Sequence, residues 1–439
     1  MSRRRVVITG LGAVSPLGLT AEDLWHGLLE GRCGIGPIEA FDASAFPCRL
    51  AGQAPAFKVR DYVPKAYRKA TKLMSRDIEL SVLAADDAFR NAGIVTKAAG
   101  DDTPTFDPTR LAISYGAGLI SCDLNELAAC AAGCVTDGVF DLRKWGAEGM
   151  QNLTPLWLLK YLPNMLPCHV GIIHDIQGPS NTITCGEVSA HIAIAETAEM
   201  IQRGDADVGL GGGAEAKVNP IVMLRQCLLK RSTTQYNDTP EAACRPFDAA
   251  ASGSVFGEAG GAIVMEELQT AQARGAAILA EFAGAASGNS LNPQLAHLEP
   301  NGEGLAMTIE TALAEAQLTP DQIDLIIPTG SGIPQDDRAE AAALERVFGQ
   351  ALEHIDVWAI KGMTGHTGAA AGALDTAAAV KAVAEGTIGP SRNVEQPADG
   401  CRLKLTRART QKSIRTVLCC GYSFGGQTAA LVIKKVEVE

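Results

Sequence analysis

Cysteines are the residues of this chain most able to do chemistry, and it carries 12 of them among 439 residues. A thiolate can act as a nucleophile or a metal ligand, and two thiols can join in a disulfide. In a chain of this length without a recognisable secretory leader, so many cysteines predict reduced thiols in a cytosolic protein. The question is therefore whether one of them is a nucleophile.

Two cysteine pairs and two glycine runs suggest other chemistry, and each has a simpler structural explanation. Cys130 and Cys134 are four residues apart, but no second ligand pair lies nearby, so we expect no metal site. Cys419 and Cys420 are adjacent and predict a buried strand end rather than a redox pair. The runs 10–12 (GLG) and 211–213 (GGG) follow predicted strands without a complete G-x-G-x-x-G, which favours tight turns over a nucleotide site.

The elements that must position any site alternate between short β-branched runs and Ala-rich helical stretches. Predicted strands cover 6–9, 111–115, 182–184, 208–211, 262–266, 280–283, 325–327, 357–360, 416–420 and 429–433. Predicted helices cover 76–92, 189–203, 304–316, 338–347 and 368–383, and 97–108 is predicted to be an exposed loop. This alternation predicts an α/β fold with largely parallel sheets covered on both faces.

Each half of the chain has about five predicted strands, which suggests an internal duplication. The junction falls in a helical stretch at 269–277, so we divide the chain into an N-terminal half, 1–268, and a C-terminal half, 269–439. Because no flexible linker separates them, the halves are expected to pack as layers of one body.

Composition excludes several classes of function. The net charge is −12, which disfavours nucleic acid and anionic membrane surfaces as partners. Hydrophobic residues make up 46% of the chain and charged residues 20%, enough for a large core. The start of the chain is read as a strand and glycine loop rather than a leader, and no stretch of about 18 uncharged apolar residues predicts a membrane span.

Three blocks of sequence resemble one family. They are 245–248 (RPFD) with 256–268 (FGEAGGAIVMEEL), 361–366 (KGMTGH) and 424–428 (FGGQT); 6–12, 163–165 and 178–180 agree as well. Together they resemble the elongating β-ketoacyl-ACP synthases, from end to end of the chain and in order. The resemblance implies a thiolase-like fold: five layers, αβαβα, from two duplicated halves with mixed, mainly parallel sheets.

The resemblance also implies a chemistry and a set of partners. In this family a cysteine at a helix N-terminus takes an acyl group from the phosphopantetheine of acyl carrier protein. Two histidines and a lysine then serve the condensation, without a metal or a bound cofactor. Such proteins form homodimers or heterodimers, and the pairing strand corresponds to the region near Ile183.

The residues expected at the catalytic positions depart from the family pattern. Counting seven residues from the Gly-Pro-Ser turn at 178–180 puts Glu187 at the nucleophile position, with Cys185 two residues earlier. The first histidine position holds Thr329. The second histidine and the lysine are kept as His366 and Lys361.

The residues expected to bind substrate are changed in part. The two hydroxyls that hold the pantetheine arm correspond to Ser331 and Ile333, so one is lost. The phenylalanine that gates the acyl pocket corresponds to Tyr422, and Phe424 begins the glycine loop that follows.

These changes favour a non-condensing subunit, because a carboxylate accepts acyl groups poorly and threonine has no imidazole. The pattern is similar to the chain-length factor, which pairs with a Cys-type ketosynthase, although that subunit often has Gln in place of Glu. Glu187 is expected at a helix N-terminus, free to pair with Lys361 or His366. Two alternatives remain: an acyltransferase, decarboxylase or hydrolase using Glu187, His366 and Lys361, or a nucleophile shifted to Cys185.

An acidic carrier protein needs a basic docking surface. The densest basic run contains Lys65, Arg68, Lys69, Lys72 and Arg76. The sequence leaves two interpretations open, a docking patch or a solvated helix face.

Overall fold

A computed structural model describes residues 3–100, 103–290, 292 and 296–437. Short apolar and glycine-rich runs form its strands, because such residues suit a sheet covered on both faces. The strands are β1 Val6–Val14, β2 Ile35–Pro37, β3 Leu50–Gly52, β4 Leu111–Ala117, β5 Val135–Thr136, β6 Val139–Phe140, β7 Ser180–Ile183, β8 Val208–Ala216, β9 Glu258–Glu267, β10 Ala280–Asn289, β11 Leu325–Ile327, β12 Asp356–Val357, β13 Thr387–Ile388, β14 Lys404–Leu405, β15 Thr410–Gln411, β16 Thr416–Tyr422 and β17 Gln427–Lys434.

The α-helices follow the Ala-rich stretches, with polar residues at many of their starts. Asn219 caps one start, for example, by accepting the N–H of Ile221. The helices are α1 Ala21–Glu30, α2 Arg76–Asn91, α3 Leu124–Ala132, α4 Leu142–Ala147, α5 Met165–His174, α6 Ser189–Arg203, α7 Pro220–Leu228, α8 Leu268–Ala273, α9 Glu303–Glu315, α10 Pro334–Phe348, α11 Lys361–Thr364 and α12 Ala371–Glu385.

The main sheet repeats one strand order twice. In the first half the order is β7-β4-β8-β9-β1, and in the second it is β12-β11-β16-β17-β10, with β14 added outside β12. Parallel and antiparallel pairs occur at the same places in both halves, and the antiparallel pair β1–β10 joins them. The predicted α/β class and the duplication are confirmed.

Helices form three layers around these strands. Helices α2 and α5 cover the first half on its outer side, and α9 and α10 cover the second. Helices α6 and α12 lie between the halves and contact strands of both. The site residues lie at the ends of this central layer, where the chain enters α6 and α12.

Most predicted elements are present, with shifts of a few residues at their ends. The predicted strand 357–360 is wrong beyond its first residue, because the chain leaves β12 after Val357 and turns into the short helix α11. The helix predicted at 368–383 begins with a 3₁₀ turn and continues as α12 to Glu385. Part of the predicted loop 97–108 lies outside the described residues, at 101 and 102. The division at 268/269 stays a prediction.

The approach of β1 to α2 depends on one glycine. A Cβ on Gly12 would lie 1.9 Å from the carbonyl oxygen of Ala84 and 2.5 Å from the nitrogen of Ala88, both backbone atoms of α2. We expect Gly12→Ala to lower the free energy of unfolding by about 3 kcal/mol or more, because the backbone of β1 or α2 would have to move to make room for the methyl group. Gly36→Ala is the control, since a Cβ there meets nothing within 4 Å. Equal urea denaturation midpoints for the two variants would contradict the close approach.

Candidate functional site

Glu187 lies where the chain turns from β7 into α6. Gly186 has φ 59°, a left-handed conformation that favours glycine, and residues 186–188 form a 3₁₀ turn. The Ser189 hydroxyl donates to the Gly186 carbonyl oxygen at 2.7 Å and accepts the Cys185 N–H at 2.9 Å. This turn directs the Glu187 side chain into the interior, where it is buried.

A buried ion pair holds the Glu187 carboxylate. Its Oε1 accepts from Nη1 of Arg231 at 2.9 Å, and its Oε2 accepts from the backbone N–H of Phe424 at 3.0 Å. Burial alone would raise the pKa of Glu187, but the charges of Arg231 and Lys217 outweigh it, so the pKa is well below its usual range. Glu187 is therefore a carboxylate at every pH at which the protein would work.

Arg231 is fixed as firmly as its partner. Its side chain is only 3% exposed, and Nη1 also donates to the Gln226 side chain at 3.4 Å. The rings of Phe256 and Phe424 lie over the guanidinium, at 5.4 and 5.3 Å from Cζ to the ring centroids. The guanidinium is thus held by the Glu187 carboxylate and by contact with two aromatic rings.

His366 is held by its backbone and by ring stacking. Its N–H donates to Val255 O, its carbonyl accepts from Gly257, and its imidazole stacks on Phe256 with centroids 5.7 Å apart. Nδ1 accepts the Gly368 N–H at 3.3 Å, which assigns the proton of the neutral ring to Nε2. Burial lowers the pKa of His366 to about 3, against the opposing effect of the Glu187 charge.

The state of His366 can be tested by titration. We expect the imidazole to stay neutral between pH 8 and pH 5, as followed by the chemical shift of its Cε1 proton. Because the folded pKa lies below the unfolded value of about 6.5, the stability linked to this group is complete above pH 6.5 and is lost as the pH falls towards 3. His366→Gln should therefore unfold less steeply with acid than the wild type. A titration midpoint near 6.5 would contradict the burial assigned to the ring.

Lys361 does not partner Glu187. Its ammonium group donates to both carboxylate oxygens of Asp375, at 2.7 and 2.6 Å, and to Pro328 O at 3.3 Å. The expectation that Glu187 pairs with Lys361 or His366 is wrong, because Asp375 uses the lysine and Arg231 supplies the cation for Glu187. Glu187–Arg231 and Lys361–Asp375 are thus separate buried ion pairs.

The segment that replaces the first histidine offers no base. Thr329 is buried, and its N–H donates to Glu340 at 2.7 Å. The Ser331 hydroxyl donates to Asp337 and accepts from the Tyr422 hydroxyl and the Ile333 N–H, so its hydrogen-bonding capacity is used.

The predicted gate residue Tyr422 is buried, with its hydroxyl bound to Ser331. The exposed aromatic side chain of this loop is Phe424. The assignment of the gate to Tyr422 stays a prediction, and Phe424 is the aromatic side chain that lies over the Arg231 guanidinium.

Cys185 remains the nearest thiol to the nucleophile position. It is partly exposed, and burial raises the pKa of its thiol, which makes it a weak nucleophile at neutral pH. The side chains of the described residues contain no group of three or more His, Cys, Asp or Glu able to hold a metal ion.

Sequence reasoning missed several site residues. Arg231, Lys217 and Asp375 all carry charge at buried positions, and Lys217 donates to Glu215 at 2.8 Å. A predicted buried glutamate signals the need for a buried cation, but nothing in the local pattern selects Arg231 among the arginines of the chain.

Comparison with known proteins places the chain among ketosynthases. The family model of the β-ketoacyl synthase N-terminal domain matches residues 3–271, and that of the C-terminal domain matches 279–395. A 3-oxoacyl-[acyl-carrier-protein] synthase 2 from Coxiella burnetii is 32% identical over 99% of this chain and 100% of its own. A granaticin polyketide putative β-ketoacyl synthase 1 from Streptomyces violaceoruber is 32% identical over 99% of both chains.

Two solved structures have the same fold over nearly the whole chain. A type II polyketide ketosynthase, bound to its acyl-carrier protein and a hexaketide, has a TM-score of 0.85 and 25% identity, covering 99% of this chain and 100% of its own. The ishigamide ketosynthase/chain length factor has a TM-score of 0.83 and 27% identity, with the same coverage. No helix in the described part of the chain is long and apolar enough to span a membrane.

Proposed function

Because this chain belongs to the β-ketoacyl synthase family, we propose that it serves fatty-acid or polyketide biosynthesis as a non-condensing subunit of the chain-length-factor type. The observation that carries the proposal is the Glu187–Arg231 ion pair at the nucleophile position. A carboxylate whose pKa is lowered by a buried cation has little tendency to attack a thioester.

The substrate side of the pocket supports the same conclusion. An acyl chain would arrive on the phosphopantetheine of acyl carrier protein, and two hydroxyls would hold that arm. Ile333 has no hydroxyl, and the Ser331 hydroxyl is already bound to Asp337 and Tyr422. The alternative enzyme would need Glu187, His366 and Lys361 to act together, but separate counter-ions hold Glu187 and Lys361.

An edge strand supports a partner subunit of the same fold. Strand β7 ends the main sheet, pairs only with β4 among the described strands, and is largely exposed or half-buried. Large exposed apolar side chains occur along the chain between β4 and β7, as at Leu142, Leu158 and Ile172, and helix α5, which carries Ile172, contacts β7. A Cys-type ketosynthase that continues the sheet across β7 would cover such a surface.

A basic surface supports docking of acyl carrier protein. Lys65, Arg68, Lys69 and Lys72 are exposed, and none of them forms an ion pair within the described residues. Arg76 is not part of this surface, because its guanidinium is bound to Glu258 at 2.8 Å. The four free cations suit an acidic partner in an otherwise acidic chain.

Pairing with a Cys-type synthase tests the proposal. Co-expression should yield a stable heterodimer, detected by native mass spectrometry, whose product length differs from that of the synthase alone. Ile172→Glu should weaken the pairing at least tenfold, because the charge would be buried beside β7. Met307→Glu is the control, since Met307 is similarly exposed on α9, in the outer layer of the second half. Failure to pair with any Cys-type synthase of the same pathway would overturn the proposal.

A further inference from the structure

We propose that the pocket at Glu187 is a binding site for a short carboxylate, and that the chain fills this site with its own Glu187 side chain. The inference goes beyond the proposed function, because it concerns what the pocket binds. It holds whether or not the chain pairs with a synthase.

Two donors from distant parts of the chain already hold a carboxylate there. Arg231 Nη1 binds one oxygen at 2.9 Å, and the Phe424 N–H binds the other at 3.0 Å. Such charge-assisted hydrogen bonds recognise the carboxylate group itself rather than the chain that bears it. A free carboxylate in the same place would find the same donors.

The pocket also has more donors than Glu187 uses. Arg231 Nε and His366 Nε2 are buried and have no hydrogen-bond partner in the described part of the chain. Because Nδ1 of His366 accepts the Gly368 N–H, its Nε2 carries the proton of the neutral ring. This Nε2–H is a further donor that Glu187 does not use. A buried site with an excess of donors and a fixed guanidinium favours an anion.

The space taken by the Glu187 side chain, beside two aromatic rings, sets the size of the ligand. Phe256 and Phe424 lie over the Arg231 guanidinium, and Glu187 extends into the space beside it. Replacing Glu187 with alanine removes the equivalent of one acetate, the two carbons and two oxygens beyond Cβ. The predicted ligand class is therefore a one- to three-carbon carboxylate, with acetate the best fit.

The Glu187 side chain also binds the loop that contains Phe424. Glu187 binds the N–H of Phe424, and two residues later the Gly426 carbonyl accepts the Ser290 N–H at 2.6 Å. The Glu187 carboxylate and the Ser290 amide thus both attach the 423–426 loop to neighbouring parts of the structure. Removing the Glu187 carboxylate should free the Phe424 amide, and a bound carboxylate should protect that amide again.

Thermal unfolding of Glu187→Ala, with sodium acetate as the probe, tests the proposal. At constant ionic strength, acetate in place of chloride should raise its Tm by several degrees in a saturable manner. Three controls should show no such rise: the wild type, Glu187→Gln, whose amide still fills the space, and the double variant Glu187→Ala/Arg231→Met. Acetate should slow hydrogen exchange of the Phe424 amide in Glu187→Ala and in none of the three controls. Butyrate should have a weaker effect than acetate on both the Tm and the exchange rate of this variant.

Two results would overturn the proposal. One is a Tm of Glu187→Ala that is the same in acetate and in chloride. If this variant is insoluble in chloride, its soluble yield becomes the measurement, and equal yields in acetate and chloride would overturn the proposal as well. Neither result bears on heterodimer formation, so the site proposal and the proposed function can fail separately.

Discussion

Arg231→Met should lower the free energy of unfolding by about 3–5 kcal/mol at pH 7, which is the usual cost of leaving a buried charge without its partner. Glu187 would remain in the interior with the Phe424 N–H and the nearby Lys217 charge, but without a hydrogen-bonded counter-ion. Burial would then raise the pKa of Glu187 above its unfolded value, so the deficit should shrink as the pH is lowered from 7 to 5. Urea denaturation at these two pH values measures both effects.

Two variants separate the lost partner from general damage. The double variant Glu187→Leu/Arg231→Met removes both charges and should return to within about 2 kcal/mol of the wild type. Arg203→Met breaks exposed pairs with Glu199 and Asp205 and should cost less than about 1 kcal/mol. If the single and double variants at 187 and 231 were equally unstable, the ion pair would not be the cause.

Glu187→Cys should give a thiol unlike any native one. Burial raises the pKa of native thiols, to about 11 for Cys48 and about 12 for Cys244. At position 187 the charges of Arg231 and Lys217 outweigh burial of the native carboxylate. The new thiol should therefore have an apparent pKa below about 7.5 and at least about sevenfold more thiolate at pH 7 than a free cysteine. The pH dependence of alkylation by iodoacetamide, read by mass spectrometry, measures this pKa.

The matched control removes the cation. In Glu187→Cys/Arg231→Met the apparent pKa of the same thiol should rise above about 8.5, because burial then dominates. An unchanged pKa would mean that Arg231 does not set the electrostatics of the position.

The sequence predicts the fold better than it predicts the site. Strands and helices recur with local periodicity, so α6 was predicted with its observed ends, and the strand order repeats as the duplication implies. Glu187 was placed correctly at the entry to α6 by counting from a local turn. These features depend on residues that are close together in the chain.

The partners of the charged residues could not be predicted in the same way. Glu187 and Arg231 are 44 residues apart, and Lys361 meets an aspartate inside the Ala-rich helix α12. No periodic pattern encodes such contacts, because they arise only when separate layers pack together. For the same reason the sequence suggests Lys361 as a partner for Glu187, whereas in the structure Lys361 binds Asp375.

If the chain is a non-condensing subunit, as we propose, it does not itself condense or decarboxylate acyl thioesters. The direct measurement is to incubate the purified protein with acyl- and malonyl-acyl carrier protein, and to follow 3-oxoacyl product by mass spectrometry and release of labelled CO₂. We predict neither above the protein-free rate, for the wild type and for Glu187→Ala alike. Product or CO₂ formed by the wild type alone and abolished in Glu187→Ala would contradict the account and make Glu187 a catalytic residue.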